Sequence, residues 1–342
     1  MKAFGKIFRE SFKVDNAWAD WFLGHVCRRE DALTMDVDGH TASVALLTPY
    51  RMEFHGADVP VCYINSVATE RKFRGQGLGS RLMLKALHTA AERGDDFAIL
   101  IPATRRLYFF YDSFGFATVF YIDEQRYTSL HAFENPEGYH DVEPSWDMFS
   151  TLERQRSGAV VHSQDDYENI LTDLALSDGK ALAVENSDGS MAMIFFETTD
   201  SEIHVLDILS TDLTAREAAL NRMRAAAGEM AVIVKAMPEG RAAQLRSRGM
   251  VRILNVGSVL SRIAETHPDT EQVIRVTDPI ISINSGIYIL KGGHCEKVQD
   301  THRRITLDVS VDVLCRIIFS DKRIGDVFGL PAGRPFISLM LD

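Results

Sequence analysis

Within the segment Val67-Ala68-Thr69-Glu70-Arg71-Lys72-Phe73-Arg74-Gly75-Gln76-Gly77-Leu78-Gly79-Ser80, three glycines alternate directly before an amphipathic helix. Glycine lets the backbone approach a ligand and adopt left-handed dihedrals. The free N–H groups at a helix start, aided by the helix dipole, bind a pyrophosphate. Arg71, Lys72, Arg74, Arg81 and Lys85 gather positive charge here in a chain whose net charge is −11. A phosphorylated ligand follows from that contrast. No Gly-Lys-Ser/Thr closes the loop, so a P-loop is excluded. The spacing is G-x-G-x-G rather than G-x-G-x-x-G, and Asp95 and Asp96 precede the next strand rather than ending it, so the dinucleotide fingerprint fails too. A second candidate is Tyr111, four residues before Gly115 in Tyr111-Asp112-Ser113-Phe114-Gly115-Phe116. A tyrosine hydroxyl serves as a general acid when its proton lies in reach of a leaving group, though a tyrosine in an aromatic helix also packs as core.

These groups need a scaffold, and the patterning supplies an α/β one. A helix from Asn16 places Trp18, Trp21, Phe22, His25 and Val26 on one face. Strands 32–37 and 41–48 meet through Asp38-Gly39, and a second hairpin turns at His55-Gly56 into a long strand, Val59 to Thr69. The helix after the glycine loop carries Leu78, Leu82, Met83, Ala86, Leu87 and Ala90 on one side, and Gly94 stops it. The strand 97–102, a short aromatic helix and a strand at 118–122 complete this unit.

Residues 131–150 read as a connector. From 151 to 262 the first pattern recurs more loosely: helix 165–176, strand 181–185, an Asp188-Gly189 turn, strands 190–197 and 203–209, helix 215–226, strand 230–236 and helix 240–248. It closes with Arg248-Gly249-Met250, placed like Phe114-Gly115-Phe116. The repeat implies duplication, but no glycine lies between 209 and 215, so the same phosphate cradle is not expected there. The tail offers strands 272–276, 285–291 and 304–309, a helix from Val311 to Phe319, and an apolar end from Phe336 that is expected to be tied down.

At 342 residues several domains are expected, and 46 % hydrophobic with 25 % charged residues is ordinary for a globular chain. No apolar run is long enough to span a bilayer and the N-terminus lacks a signal peptide, so a cytoplasmic location is expected. Cys27, Cys62, Cys295 and Cys315 have no metal spacing and read as reduced thiols; no metal is expected. The acidic balance argues against nucleic acid and is compatible with a cationic substrate or simply with solubility.

Arg-x-x-Gly-x-Gly at Arg74, Gly77 and Gly79 resembles the coenzyme A loop of the GNAT (GCN5-related N-acetyltransferase) superfamily, and Tyr111 to Phe116 resembles its Tyr-x-x-x-Gly-Phe segment. The resemblance implies acetyl-CoA as co-substrate, held by Arg74, Gly75, Gln76, Gly77, Leu78, Gly79 and Ser80. It also implies pantetheine and thioester contacts from the backbone of Val67, Ala68 and Thr69, and a proton from Tyr111 for the departing thiolate. The three units in this order resemble the Eis-type (enhanced intracellular survival) acetyltransferases. That narrower resemblance implies an α/β (α+β) fold of tandem GNAT-type mixed-sheet domains and a small sterol-carrier-like domain. The division is 1–130 catalytic, 131–150 connector, 151–265 degenerate and without cofactor loop, and 266–342 sterol-carrier-like. It further implies a primary amine acceptor (a small cationic molecule or a lysine side chain), a homo-oligomer such as a hexamer, and a C-terminal carboxylate, here Asp342, that helps deprotonate the amine. In the characterised Eis group the acidic tyrosine follows the glycine, where this chain has Phe116. The alternative function is a non-catalytic coenzyme A- or lipid-binding regulatory module. For Trp18, Trp21 and Phe22 an acceptor cleft competes with a core face, and for Glu53 and His55 an amine base competes with a solvated turn. Arg241–Arg248 reads as an exposed helix face. The tail serves either to dock against the active site or to hold a lipid.

Overall fold

The computed structural model describes residues 1–238 and 245–341. They group into two compact units that are not consecutive in the chain: unit 1 collects residues 1–120 and 248–335, and unit 2 the described part of 121–247 with 336–341. The fold is mixed α/β, as the patterning requires.

Unit 1 begins with a helix that the sequence reading did not include, α1 (Lys2–Ser11), which buries Phe4, Ile7 and Phe8 at spacings of three and four. Helix α2 (Asn16–Trp21) starts on the Asp15 carboxylate, which accepts the Ala17 and Trp18 N–H groups. A single π turn, Phe22–Val26, then follows. The wider turn rotates the expected apolar face, so Phe22 is buried while His25 is exposed. Trp18 stacks on Phe22 at 4.9 Å between ring centroids, and Phe22 on Phe8 at 5.3 Å, so these aromatics bind α2 to α1.

Strands β1 (Ala32–Val37) and β2 (His40–Phe54) form the expected hairpin; Asp38 and Gly39 have φ of 50° and 77°, the left-handed pair of a type I′ turn. His55 and Gly56 repeat this geometry, at 48° and 78°, before β3 (Ala57–Thr69). The glycine loop leads into α3 (Leu78–Glu92), β4 (Phe97–Leu100), α4 (Arg105–Asp112) and β5 (Ala117–Tyr127). The six expected apolar residues of α3 are all buried.

The chain passes from unit 1 to unit 2 within β5. The expected connector is partly structured, because two short elements form on either side of its second proline, Pro144. Strand β6 (Tyr139–Val142) pairs antiparallel with residues 183–186, and α5 (Trp146–Glu153), capped by Ser145, buries Met148, Phe149 and Leu152. After β7 (Val160–Val161) come α6 (Gln164–Leu176), β8 (Gly179–Asn186), β9 (Met191–Thr198), β10 (Glu202–Ser210), α7 (Leu213–Ala227) and β11 (Ala231–Ala236). Within unit 2, β8, β9 and β10 are successively antiparallel, and β11 lies parallel to β10. That is the connectivity of β1, β2, β3 and β4 in unit 1.

Residues 240–244 of the expected helix 240–248, with Arg241, lie outside the described residues. Residues 245–248, with Arg246 and Arg248, are strand rather than helix: β12 (Leu245–Ile253) runs antiparallel to β4 with Met250 opposite Leu100. Apolar Met250, Val251 and Ile253 are buried there, so tertiary burial decides the element. Gly249 therefore sits within a strand, whereas Gly115 ends a helix with φ of 78°. Then follow α8 (Val256–Thr266), β13 (Gln272–Thr277), β14 (Gly286–Lys291), β15 (His294–Val298), β16 (Leu307–Ser310), α9 (Val311–Ile318) and α10 (Lys322–Phe328). The last four strands form a sheet of order β15-β14-β13-β16. In unit 2 the apolar end is tied down, with Phe336 bridging to Ala159.

Among the described residues of unit 1, one ion pair is fully buried. Arg252 on β12 meets Asp278, after β13, at 2.7 Å with both side chains 0 % exposed. Asp278 also accepts from Asn284 Nδ2 and from the Ile280 and Ile281 N–H groups. Burial pushes its pKa up, but the Arg252 charge and these donors outweigh burial and hold it below the usual carboxylate range. The guanidinium also lies so close to Gly115 that a Cβ there would collide with Nη1. Asp278→Ala strands a buried cation, and the expected loss is about 3–5 kcal/mol in chemical denaturation of the unit-1 transition. Because the pKa is depressed, this contribution is present at neutral pH and lost as pH falls through and below the ordinary carboxylate range. An acid-unfolding midpoint that is the same in the variant and the wild type would contradict this.

Candidate active site

In unit 1 the parallel strands β3 and β4 separate. They pair at Val61–Phe97, Cys62–Ala98 and Tyr63–Ile99, and β3 then continues to Thr69 without β4. On its other edge β3 stays with β2, but the register slips: Leu46 faces Asn65, and Val44 faces Ala68. One residue more lies on β3 than on β2, a β-bulge at Ser66-Val67, and Ser66 takes a left-handed φ of 52°. Such a bulge bends its strand. Here the bent end, Val67-Ala68-Thr69, directs its unshared backbone edge into the gap left by β4.

Polar side chains fix this bend. The buried Ser43 hydroxyl donates to the Ala68 carbonyl and shares a hydrogen bond with Thr69 Oγ1, both 2.9 Å. Asn65 Nδ2 donates to Thr48 Oγ1 at 2.9 Å, and Ser66 Oγ to Asn65 Oδ1 at 2.9 Å. The sequence reading missed Ser43, Thr48, Asn65 and Ser66. Asn65-Ser66 was the available signal, being a polar pair inside an otherwise apolar strand.

The loop after β3 keeps its backbone donors open. Gly75 and Gly77 have φ of 77° and 73°, so glycine is needed for conformation, while a Cβ at either would meet nothing within 4 Å. Gly77 is the N-cap of α3; no side chain caps the helix and no acidic residue occupies its first turn. Its first N–H groups therefore face solvent, beside Arg71, Lys72, Arg74 and Arg81, all exposed. Arg74 Nε donates to the Thr69 carbonyl at 2.9 Å, tying the loop to the bent strand. Lys72 reaches Glu70, which also accepts from Lys6 at 3.0 Å. Open donors, adjacent cations and free space fit a pyrophosphate.

Tyr111 is the buried residue of α4, 7 % exposed, in one apolar cluster with Ile64 of β3, Met83 and Leu87 of α3, Phe116, and the partly buried Val67. Its hydroxyl has no hydrogen-bond partner among the described residues. Burial pushes its pKa up to about 12, so the proton stays on Oη at neutral pH. Phe116 is 0 % exposed and meets Tyr111 edge-on at 6.0 Å between centroids. The structure thus brings Val67, Ala68 and Thr69, the loop from Arg74 to Ser80, and Tyr111 into one neighbourhood of unit 1. Asp342 lies outside the described residues. His55 Nδ1 lies 3.0 Å from His267 Nε2, and burial, then the His267 charge, lower its pKa to about 4; His55 is therefore a packed turn residue rather than a solvated one. Cys27, Cys62 and Cys315 are buried free thiols, and Cys295 is a half-buried one. No group of metal-binding side chains and no helix able to cross a membrane occurs among the described residues.

Residues 1–119 match the family model described as Acetyltransferase (GNAT) domain. A solved GCN5-related N-acetyltransferase from Anabaena variabilis has a TM-score of 0.78 to this chain at 16 % identity, covering 98 % of this chain and 96 % of that one. Eis1 from Mycobacterium abscessus has a TM-score of 0.72 at 15 % identity, covering 96 % and 89 %. A GCN5-related N-acetyltransferase from Kribbella flavida has 0.71 at 15 %, covering 98 % and 96 %. At these identities the likeness is one of fold. No curated protein sequence matches the chain.

Gly77→Glu places a carboxylate in the open space before α3 and forces a side chain into a left-handed conformation. Calorimetric titration with acetyl-CoA is expected to show binding to the wild type and a loss of at least about a hundredfold, or roughly 3 kcal/mol, in the variant. Equal affinities would remove this loop from the cofactor site.

Proposed function

We propose that unit 1 is an acetyl-CoA-dependent N-acetyltransferase that transfers the acetyl group directly to a primary amine, on a small cationic molecule or a lysine side chain. The observation that carries this reading is the bent, unpaired end of β3 beside an uncapped helix start, within the segment that matches the GNAT model. Bound acetyl-CoA supplies an acetyl group activated as a thioester, from which an amine displaces the thiolate. The N–H groups of Leu78, Gly79 and Ser80, with the Arg74 charge, would hold the pyrophosphate. The exposed edge of Val67, Ala68 and Thr69 would hold the pantetheine arm and donate to the carbonyl oxygen as negative charge develops on it. Tyr111 keeps its proton on Oη for transfer to the leaving sulfur. Asp342 is our proposed acceptor of the amine proton.

The finer architecture belongs to the same proposal: unit 2 as a second GNAT-like fold without cofactor, residues 266–342 as a sterol-carrier-like domain, and a homo-oligomer. The shared strand connectivity of β1–β4 and β8–β11 supports the first of these.

Tyr111→Phe removes the acid while keeping its ring in the apolar cluster. Turnover is expected to fall well beyond about tenfold with acetyl-CoA affinity little changed. An unchanged rate would take Tyr111 out of the mechanism, and acetyl-CoA binding without turnover on any amine would favour the regulatory-module alternative. Deleting Leu341-Asp342 tests the base: full activity after the truncation rejects Asp342.

A further inference from the structure

Unit 2 repeats the bend and the gap, but its own side chains fill the positions where backbone would serve a cofactor. Strands β10 and β11 pair only to Val205–Val234, while β10 continues to Ser210. The register of β10 on β9 slips between Val205 and Asp207, a bulge like that of β3. Beyond it, the Ile208 N–H donates to Asp207 Oδ1 at 2.8 Å and Arg156 Nη2 donates to the Ile208 carbonyl. Arg156 and Asp207 are joined by two bonds of 2.6 and 2.8 Å, with Ser338 donating to Asp207 at 2.7 Å. At the start of α7, Asp212 accepts from the Ala215 N–H, and its pKa is lowered by that backbone bond in the first place. A pantetheine arm finds no free edge at Ile208, and a pyrophosphate meets a carboxylate.

A cavity of about 400 Å³ nevertheless remains in this gap, within the size range of small-molecule sites. Its polar wall is organised by one amide. Gln125 on β5 donates through Nε2 to Asp123 Oδ2 at 3.1 Å and accepts through Oε1 from Arg216 Nη2 at 2.7 Å. One carboxylate and one guanidinium are thus each a single hydrogen bond from the same side chain. Arg156 is matched by Asp207 through two short bonds, whereas Arg216 makes only a longer contact, 3.5 Å from Nη1 to the Glu217 carboxylate, so Asp123 and Arg216 hold the least committed charge of this wall; Asp123 Oδ1 has no donor among the described residues. Ile208, Val234 and Met237 add apolar lining, with Val234 directly across the β5–β11 pair from Gln125. A simple anion would face Asp123 and a simple cation would face Arg216, each at a desolvation cost. A zwitterion satisfies both, because the guanidinium fork suits a carboxylate and the Asp123 carboxylate suits an ammonium group.

We propose that this cavity of unit 2 binds a free α-amino acid with an apolar side chain, its carboxylate on Arg216, its ammonium group on Asp123 and its side chain against Ile208, Val234 and Met237. The site is separate from the acetyl-transfer reading of unit 1 and stands without it.

The test is calorimetric titration of the full chain with L-leucine, L-methionine and L-valine, set against the des-amino acid and the decarboxylated amine of leucine. At least one amino acid is expected to bind, with both leucine controls weaker by about tenfold or more, the loss of one charge-assisted hydrogen bond. Arg216→Gln and Asp123→Asn, each still folded by circular dichroism with a thermal midpoint like the wild type's, are expected to abolish binding. Three results would overturn the proposal: no binding of the three amino acids to folded protein, equal binding of either leucine control, or binding that persists in both variants. The last would place the amino acid elsewhere, as an acceptor in unit 1, which turnover with acetyl-CoA would reveal.

Discussion

One surplus residue in β3 governs the geometry of unit 1. At Ser66 the strand carries a residue that β2 cannot match, and the left-handed backbone there turns the following three residues away from β4. A regular strand would have kept pairing with β4 and left no free edge. A left-handed serine costs on the order of 1–3 kcal/mol and persists only where its surroundings over-determine it. Ser43, Thr48 and Asn65 provide that constraint through the hydrogen bonds that hold the bent end. The glycine loop, the open start of α3 and the buried Tyr111 all take their positions relative to this bend.

Unit 2 shows how little separates an open edge from a closed one. Its long strand β10 has a comparable slip and a comparable gap to β11, yet Asp207 and Arg156 satisfy the Ile208 backbone and Asp212 caps α7. In unit 1 the corresponding helix start has glycine and no acid. Buried backbone groups must find partners. Where side chains supply them, the fold is stable and the edge is lost. Where they do not, the edge waits for a ligand, which is the physical basis of the acetyl-CoA reading proposed for unit 1.

Buried charge gives unit 1 a different kind of constraint. Arg252 comes from β12 and Asp278 from the loop after β13, and their contact leaves room at Gly115 only for a residue without a side chain. The turn that ends the Tyr111 helix is thereby fixed by residues more than a hundred positions later in the chain. Such a pair specifies one arrangement because either partner alone would be an uncompensated charge in a dry interior.

By itself the sequence determined whatever depends on neighbouring residues. Asp38-Gly39 and His55-Gly56 dictate type I′ turns because both residues of each pair must be left-handed. The apolar spacing from Leu78 to Ala90 dictates α3, and the glycines before it dictate an open helix start. Periodicity likewise gave β13, β14, β16 and α9. Only the tertiary structure decided what rests on partners far along the chain. Residues 245–248 have charges that suit a helix, but pairing of the following residues with β4 makes them strand. The π turn after Trp21 moved His25 out of the buried face, and the prolines near β6 and α5 hid two elements that long-range packing stabilises. The separation of β3 from β4 and the ion pair of Arg252 with Asp278 have no local signature, because pairing registers and buried charges are settled between segments that meet only when the chain has folded.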